Sequence, residues 1–291
     1  MDIRRVLYNN HWTLGFPQNS ISDIINGCEL NVKWMKNPFK DRWYADPFIL
    51  GYDEENIYIL AEEFYDPIGR GRISKLTIDR KKYQLKNVDV VLELSTHLSF
   101  PAITRINDDV YIYPENGASN ELILYKYNPL NNDCKPIKKL AEGYLADAIH
   151  TELFGKPLIF ATIVPKHNLN ELVVFAQGEE GMFFQDRTIY FENNIARNAG
   201  DWFMYEGSIY RPAQDCTNAY GGEMILQKVS LTNGVFNFEN VRRINEHFGS
   251  YKLGCHTFNH FDGISVIDVN GYRRPLLASV GKMIVKFRHR I

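Results

Sequence analysis

The run Trp43-Tyr44-Ala45-Asp46-Pro47-Phe48-Ile49-Leu50 sets the reading of the whole chain. Two aromatic residues lead into an acid, proline follows, and an apolar stretch continues behind it. A polar turn at Gly51-Tyr52-Asp53-Glu54-Glu55-Asn56 separates it from a second strand-like run, Ile57-Tyr58-Ile59-Leu60-Ala61. Asp and Pro are ordinary turn residues, and a lone Asp-Pro does no more than start a strand. An Asp that opens a strand beside aromatic rings can also place a carboxylate at the bottom of a ring-walled pocket. Sugars suit such a pocket, because their C–H faces stack on rings and their hydroxyls bond to carboxylates.

The same hairpin recurs along the chain. Ala45–Leu50 pairs with Ile57–Glu63, Ser99–Thr104 with Val110–Glu115, and Ala146–Phe154 with Leu158–Thr162. Ala199–Tyr205 is followed by Ser208–Asp215, and Cys255–Phe261 by Ile264–Asp268. Taking Asp46, Pro101, Asp147, Gly200 and His256 as equivalent, the steps are 55, 46, 53 and 56 residues. Further strand-like runs, such as Leu122–Tyr127, Leu172–Ala176 and Met224–Val229, follow the hairpins. A unit of about four strands repeated radially is a propeller blade. The chain is therefore read as all-β, a five-bladed β-propeller in one domain over residues 1–291. Trp12–Phe16 is expected to supply the outer strand of the last blade, closing the ring and removing a free edge. Helix signals are few, and the best, Ile21–Ile25, is about one turn long.

Composition narrows the function. Lysine plus arginine number 33 against 35 acids, a net charge of −2, so nothing favours nucleic acid or an anionic membrane. No run approaches the roughly 18 apolar residues of a membrane span, and the basic run at 286–290 reads as a solvated tail. Aromatics make up 13% of the chain, which suits strands and ring-lined sites. Cys28, Cys134, Cys216 and Cys255 share no metal-ligand spacing and read as reduced thiols of a cytoplasmic protein. No metal or cofactor is expected, and no P-loop, GxGxxG, GxSxG or HExxH motif is present.

In a propeller the first strand of each blade lines the axis, so Asp46, Asp147 and His256 should converge at one end of a funnel. The hairpin partners add Glu63, Glu115, Arg211, Gln214, Asp215 and Asp268. Paired carboxyl groups cleave glycosidic bonds, one as acid and one as base or nucleophile. Crowding splits their pKa values, which keeps one protonated. Arg197 and Arg211, with Gln214 and Asp215, can grip an anionic sugar, a phosphate or a carboxylate, because guanidinium bonds two oxygens at once. Trp43 supplies a ring wall, and His97, His150 and His256 lie where they can orient a substrate. Each of these residues also has a structural reading, as a solvated turn acid, a blade-bridging arginine or a satisfied core histidine.

Several segments resemble one family: Trp43–Leu50 with Glu62-Glu63, His97–Pro101, Tyr113-Pro114-Glu115, Arg197–Gly200, Arg211–Asp215 with Tyr220-Gly221, and His256–Asn259 closing on Val266–Asp268. It is the N-terminal domain of plant glucosamine inositolphosphorylceramide transferases and of bacterial relatives in surface-polysaccharide clusters or fused to formyltransferases. The match covers about residues 12–270 in motif order. That domain is in turn similar to the propeller of family 43 glycoside hydrolases. The resemblance implies Asp46 as base or nucleophile and Asp147 as the acid that tunes the proton donor and holds substrate. The family's glutamic acid in a Glu-Gly-Pro or Glu-Cys-Pro setting has no counterpart here, which leaves Glu115 and Glu63. The expected function is cleavage or transfer of a glycosyl group, on a carbohydrate or sugar-conjugate substrate, in bacterial surface-polysaccharide metabolism. The alternative is a non-catalytic glycan-binding module assisting a partner glycosyltransferase or formyltransferase.

Overall fold

The computed structural model describes residues 10–245, 248, 251 and 253–272; the basic run at 286–290 lies outside them. Strand β1 (Asn10–Pro17) leads through helix α1 (Ile21–Ile25) to β2 (Val32–Trp34). Helix α1 is one turn held by a capping box, in which Ser20 and Asp23 each bond the other's backbone N–H. Four blades then follow in order. Blade 1 is β3 (Arg42–Tyr52), β4 (Asn56–Tyr65), β5 (Arg70–Asp79) and β6 (Leu85–Leu92). Blade 2 is β7 (Ser99–Ile106), β8 (Asp109–Glu115), β9 (Glu121–Asn128) and β10 (Asp133–Glu142). Blade 3 is β11 (Leu145–Thr151), β12 (Leu158–Ile163), β13 (Glu171–Gln177) and β14 (Phe183–Tyr190). Blade 4 is β15 (Phe203–Tyr205), β16 (Ser208–Asp215), β17 (Glu223–Thr232) and β18 (Val235–Ile244). The last two strands are β19 (Phe258–Phe261) and β20 (Ile264–Tyr272).

Each of the five sheets has four strands, and the fifth runs β19-β20-β1-β2. The molecule is a five-bladed β-propeller. The N-terminal segment closes it differently from the sequence expectation: β1 pairs with β20 from Asn10↔Tyr272 to Gly15↔Ile267 as the third strand, and β2 forms the edge. The short β2 carries no periodicity of its own, and so it left no signal in the sequence.

The blades are packed by apolar residues facing one another across the gaps. Phe48 and Phe100 meet edge to face at 5.0 Å between blades 1 and 2, and Phe160 lies 4.3 Å from Trp202 between blades 3 and 4. Around the axis, adjoining blades are also tied by hydrogen bonds. Phe100 N–H donates to Asp46 Oδ2, Asp147 N–H to Glu115 Oε2, and Asn198 Nδ2 to the Asp147 and Phe160 carbonyls. Asp201 N–H donates to Asn259 Oδ1, and Asn259 Nδ2 to the Pro47 carbonyl, completing the circuit. These polar groups are buried or half-buried, and the circuit satisfies them.

Candidate functional site

The inner strands kink where the acids sit. In β3, β7 and β11 the pairing register slips at Ala45/Phe48, Ser99/Ala102 and Ala146/Ile149. Inside each slip one residue is left-handed: Asp46 at φ 48°, Phe100 at 45° and Asp147 at 46°. These are β-bulges, which re-aim a side chain at the end of a pairing. Asp adopts this conformation readily; a bulky Phe does so only under constraint from its surroundings. Phe100, one residue before the Pro101 of the sequence alignment, is thus the true equivalent of Asp46. Blade 4 places Gly200 there, at φ 143°. A Cβ on Gly200 would lie 2.0 Å from the Phe258 carbonyl oxygen, so only glycine fits.

Asp46 is buried and held on both oxygens: Thr257 Oγ1 donates to Oδ1 at 2.9 Å, and Phe100 N–H to Oδ2 at 3.1 Å. Burial raises its pKa, as do the Asp147 and Asp268 charges, while His256 opposes them. His256 Nε2 lies 3.7 Å from Asp46 Oδ1, and Nδ1 lies 2.8 Å from Asp268. Burial works against the imidazolium, yet Asp268 and Asp46 prevail and lift His256 to about 9. The ring is sandwiched by position: Trp12 stacks on it at 3.9 Å, and Tyr220 meets it edge-on at 5.8 Å. Asp46, His256 and Asp268 are the one group among the described residues with metal-ligand spacing, within 4.8 Å of one another. Asp268 already accepts the backbone N–H groups of Asp46, His256 and Thr257, so the trio is knit by its own hydrogen bonds.

Asp147 carries a second network. Arg197 grips it through Nε at 2.5 Å and Nη2 at 3.3 Å, and Gln214 Nε2 donates at 2.7 Å. Arg197 Nη1 also reaches Asn168 Oδ1 at 2.9 Å, and the Tyr220 ring lies over its guanidinium at 5.0 Å. Glu115 joins through its bond from the Asp147 N–H and stands 3.8 Å from Arg197 Nη2. Burial and the Asp147 charge raise its pKa, with Arg197 opposing. The funnel thus joins an ion-paired Asp147, an enclosed Asp46 beside a cationic imidazole, and a carboxyl of raised pKa at Glu115.

The structure brings Asp46, Glu115, Asp147, Arg197, Gln214, His256 and Asp268 together, sets His97 beside Glu62 at the margin of this group, and places the other candidates elsewhere. Glu63 is fully enclosed, but it faces away from Asp46: Arg42 Nη1, Arg72 Nε and Ser74 Oγ hold it at 2.7, 2.9 and 2.6 Å. Arg211 is buried inside blade 4, donating to Asn198 Oδ1, Gln227 Oε1 and the carbonyls of Ile195 and Ala196 beneath the Phe191, Trp202 and Phe238 rings. It is a core strut rather than a ligand grip. Asp215 pairs with Arg243 at 2.5 Å at the end of β16. Trp43 stacks on Phe64 at 4.8 Å. His97 sits beside Glu62, its Nε2 3.3 Å from Oε1. His150 lies toward the hairpin ends of the inner strands, with Arg105, Glu152 and Asp201 in a separate cavity of about 640 Å³. Three residues past a bulge is about 10 Å along a strand, which carries a side chain away from the funnel.

Thr257, Trp12, Asn198 and Glu62 belong to the site and were not singled out from the sequence. Trp12 had a signal, because the closing strand must lie beside β20. Glu62 was hidden because β4 is buried on both faces, so alternation does not show which of Glu62 and Glu63 faces the axis.

The family model described as "Glucosamine inositolphosphorylceramide transferase 1, N-terminal" matches residues 18–261. A protein named glucosamine inositolphosphorylceramide transferase 1 from Oryza sativa subsp. indica is 29% identical over 148 residues, 48% of this chain and 20% of its own length. The Arabidopsis thaliana protein of that name is 25% identical over 209 residues, 64% of this chain and 25% of its own length. The chain thus spans about a quarter or less of these relatives. Among solved structures, a family 43 β-xylosidase/α-arabinofuranosidase from a compost metagenome, in complex with xylotriose, is similar at a TM-score of 0.55 and 12% identity, over 79% of this chain and 86% of that one. An exo-β-1,3-galactanase from Phanerochaete chrysosporium reaches 0.53 at 8% identity, over 72% and 53%. These structures share the fold. With the family model spanning most of its length, the chain belongs to the family of the N-terminal domain of glucosamine inositolphosphorylceramide transferase 1.

Proposed function

We propose that the chain is a carbohydrate-active propeller that cleaves or transfers a glycosyl group in its funnel. The observation that carries this is the convergence, through three bulged inner strands, of two acids and their partners at one end of the axis. Asp46 is the base or nucleophile. Its pKa is set by burial and by His256, and the bonds from Thr257 and Phe100 fix its oxygens. Asp147, neutralised by Arg197, positions the sugar. The structural neighbours solved with xylotriose and β-1,3-galactotriose support a sugar as the ligand. The proposed setting, bacterial surface-polysaccharide metabolism in the cytoplasm, rests on the sequence resemblance and on four cysteines that form no disulfide.

A second reading is a glycan-binding module for a partner transferase. It is favoured by the closed Arg197–Asp147 pair, in which the acid is already held by a guanidinium. A screen of oligosaccharides and sugar nucleotides for binding and turnover separates the two. Turnover that falls by roughly 10²–10⁴ in Asp46→Asn, with sugar binding kept, supports catalysis. Saturable binding without turnover in the wild type assigns the module.

A further inference from the structure

Glu62 and Glu63 are adjacent on β4 and point to opposite faces. Glu63 receives three donors, two of them guanidinium groups. Glu62 is only 6% exposed, and its Oε1 is buried without a well-aligned hydrogen bond. The charges that act on it most strongly are acids: Asp46 from β3, Glu115 from β8, Asp268 from β20 and Asp147 from β11. The two funnel cations are already committed, Arg197 to Asp147 and His256 to Asp268. An ionised Glu62 would be a buried charge without a counter-charge, which is strongly disfavoured.

The surroundings of Glu62 are built closely. Gly71 N–H donates to His97 Nδ1 at 2.9 Å, so the neutral ring carries its proton on Nε2, which faces Glu62 Oε1 at 3.3 Å. A second proton on Nδ1 would oppose the Gly71 N–H, so this bond favours the neutral ring at the half-exposed His97. A Cβ on Gly71 would lie 2.6 Å from Glu62 Oε1 and 2.8 Å from His97 Cε1, so glycine is what lets the pair approach the strand. His97 thus leaves Oε2 to hold the acid proton.

We propose that Glu62 is the proton donor of the funnel, taking the place of the missing Glu-Gly-Pro acid, and that His97 is its positioning residue. The chemistry rests on the glycosyl-transfer reading above; the charge state of Glu62 does not. In hydrolysis the Glu62 proton moves to the glycosidic oxygen as the C1–O bond breaks, leaving a Glu62 carboxylate and a free alcohol. Water attacks C1 and gives its proton to Asp46, and solvent returns that proton to Glu62. The net reaction is glycoside plus water to two alcohols.

Two measurements on the full chain test this. Carboxyl ¹³C NMR, with the Glu62 signal assigned from Glu62→Gln or, if that variant does not fold, Glu62→Asp, should show Glu62 protonated at neutral pH. His97→Ala should move its titration midpoint, which a merely structural histidine would not. A Glu62 ionised at neutral pH, or a midpoint indifferent to His97→Ala, overturns the proposal. On a glycoside that the wild type hydrolyses, Glu62→Gln should cost roughly 10²–10⁴ with phenyl or alkyl leaving groups but less than about tenfold with 2,4-dinitrophenyl, which departs without a proton. Equal losses overturn the donor role. A wild type that hydrolyses nothing removes the hydrolytic reading, and the titration then decides Glu62 alone.

Discussion

His256 is the residue whose charge ties the site to stability. An unfolded histidine titrates near 6.5, while the native one is lifted to about 9 by Asp268 and Asp46 against burial. The native state therefore holds a proton that the unfolded chain has already lost above that pH. The resulting stabilisation is complete below about pH 6.5 and disappears as pH rises through about 9. At 1.36 kcal/mol per pH unit it is on the order of 3 kcal/mol. Asp46 and Glu115 act with the same sign, because their raised pKa values mean that the native state also resists losing those protons. The urea midpoint of the wild type should fall between pH 6.5 and 9.5. His256→Gln should be less stable than wild type at pH 6 and should lose the steepest part of that fall. An unchanged slope in the variant would show that His256 is not held charged.

At the scale of the element, the bulges make the acids legible and the two-sided burial of the strands hides the rest. Asp46 and Asp147 recur at one structural position because a left-handed residue is needed there and Asp accepts that conformation. Composition gave no such handle on Arg211, since an Arg-Pro-Ala-Gln-Asp run looks the same whether the guanidinium faces a ligand or the core. The structure puts it in the core of blade 4, where it donates to four acceptors. Lysine keeps the charge but has three donors and no fork. Arg211→Lys should cost roughly 2 kcal/mol, from acceptors left unpaired in a buried place. Chemical denaturation measures it. A loss under about 0.5 kcal/mol would mean that lysine reorganises to satisfy the same carbonyls.

For the whole molecule, the repeat was readable because each inner hairpin must bury the same faces, and five copies reinforce one another. Ring closure was less readable, because it joins residues near both ends of the described chain and leaves no local period. Strand β1 pairs with β20, and its Leu14 lies in an apolar cluster with Tyr44 and Ile59 of blade 1 and Val266 of β20. Contacts so distant in sequence carry the largest loop-closure cost and are gained after local hairpins have formed. Blade 5 should thus close last. Leu14 is fully buried, so Leu14→Ala should lose about 2–5 kcal/mol. If closure follows the folding transition state, nearly all of that loss appears as faster unfolding, with the refolding rate almost unchanged. Ile59→Ala, inside the β3–β4 hairpin of the same cluster, should instead slow refolding. Stopped-flow refolding and unfolding of the two variants resolves the order: a Leu14→Ala protein that refolds as slowly as Ile59→Ala would place ring closure before the barrier, with blade 5 as part of the nucleus.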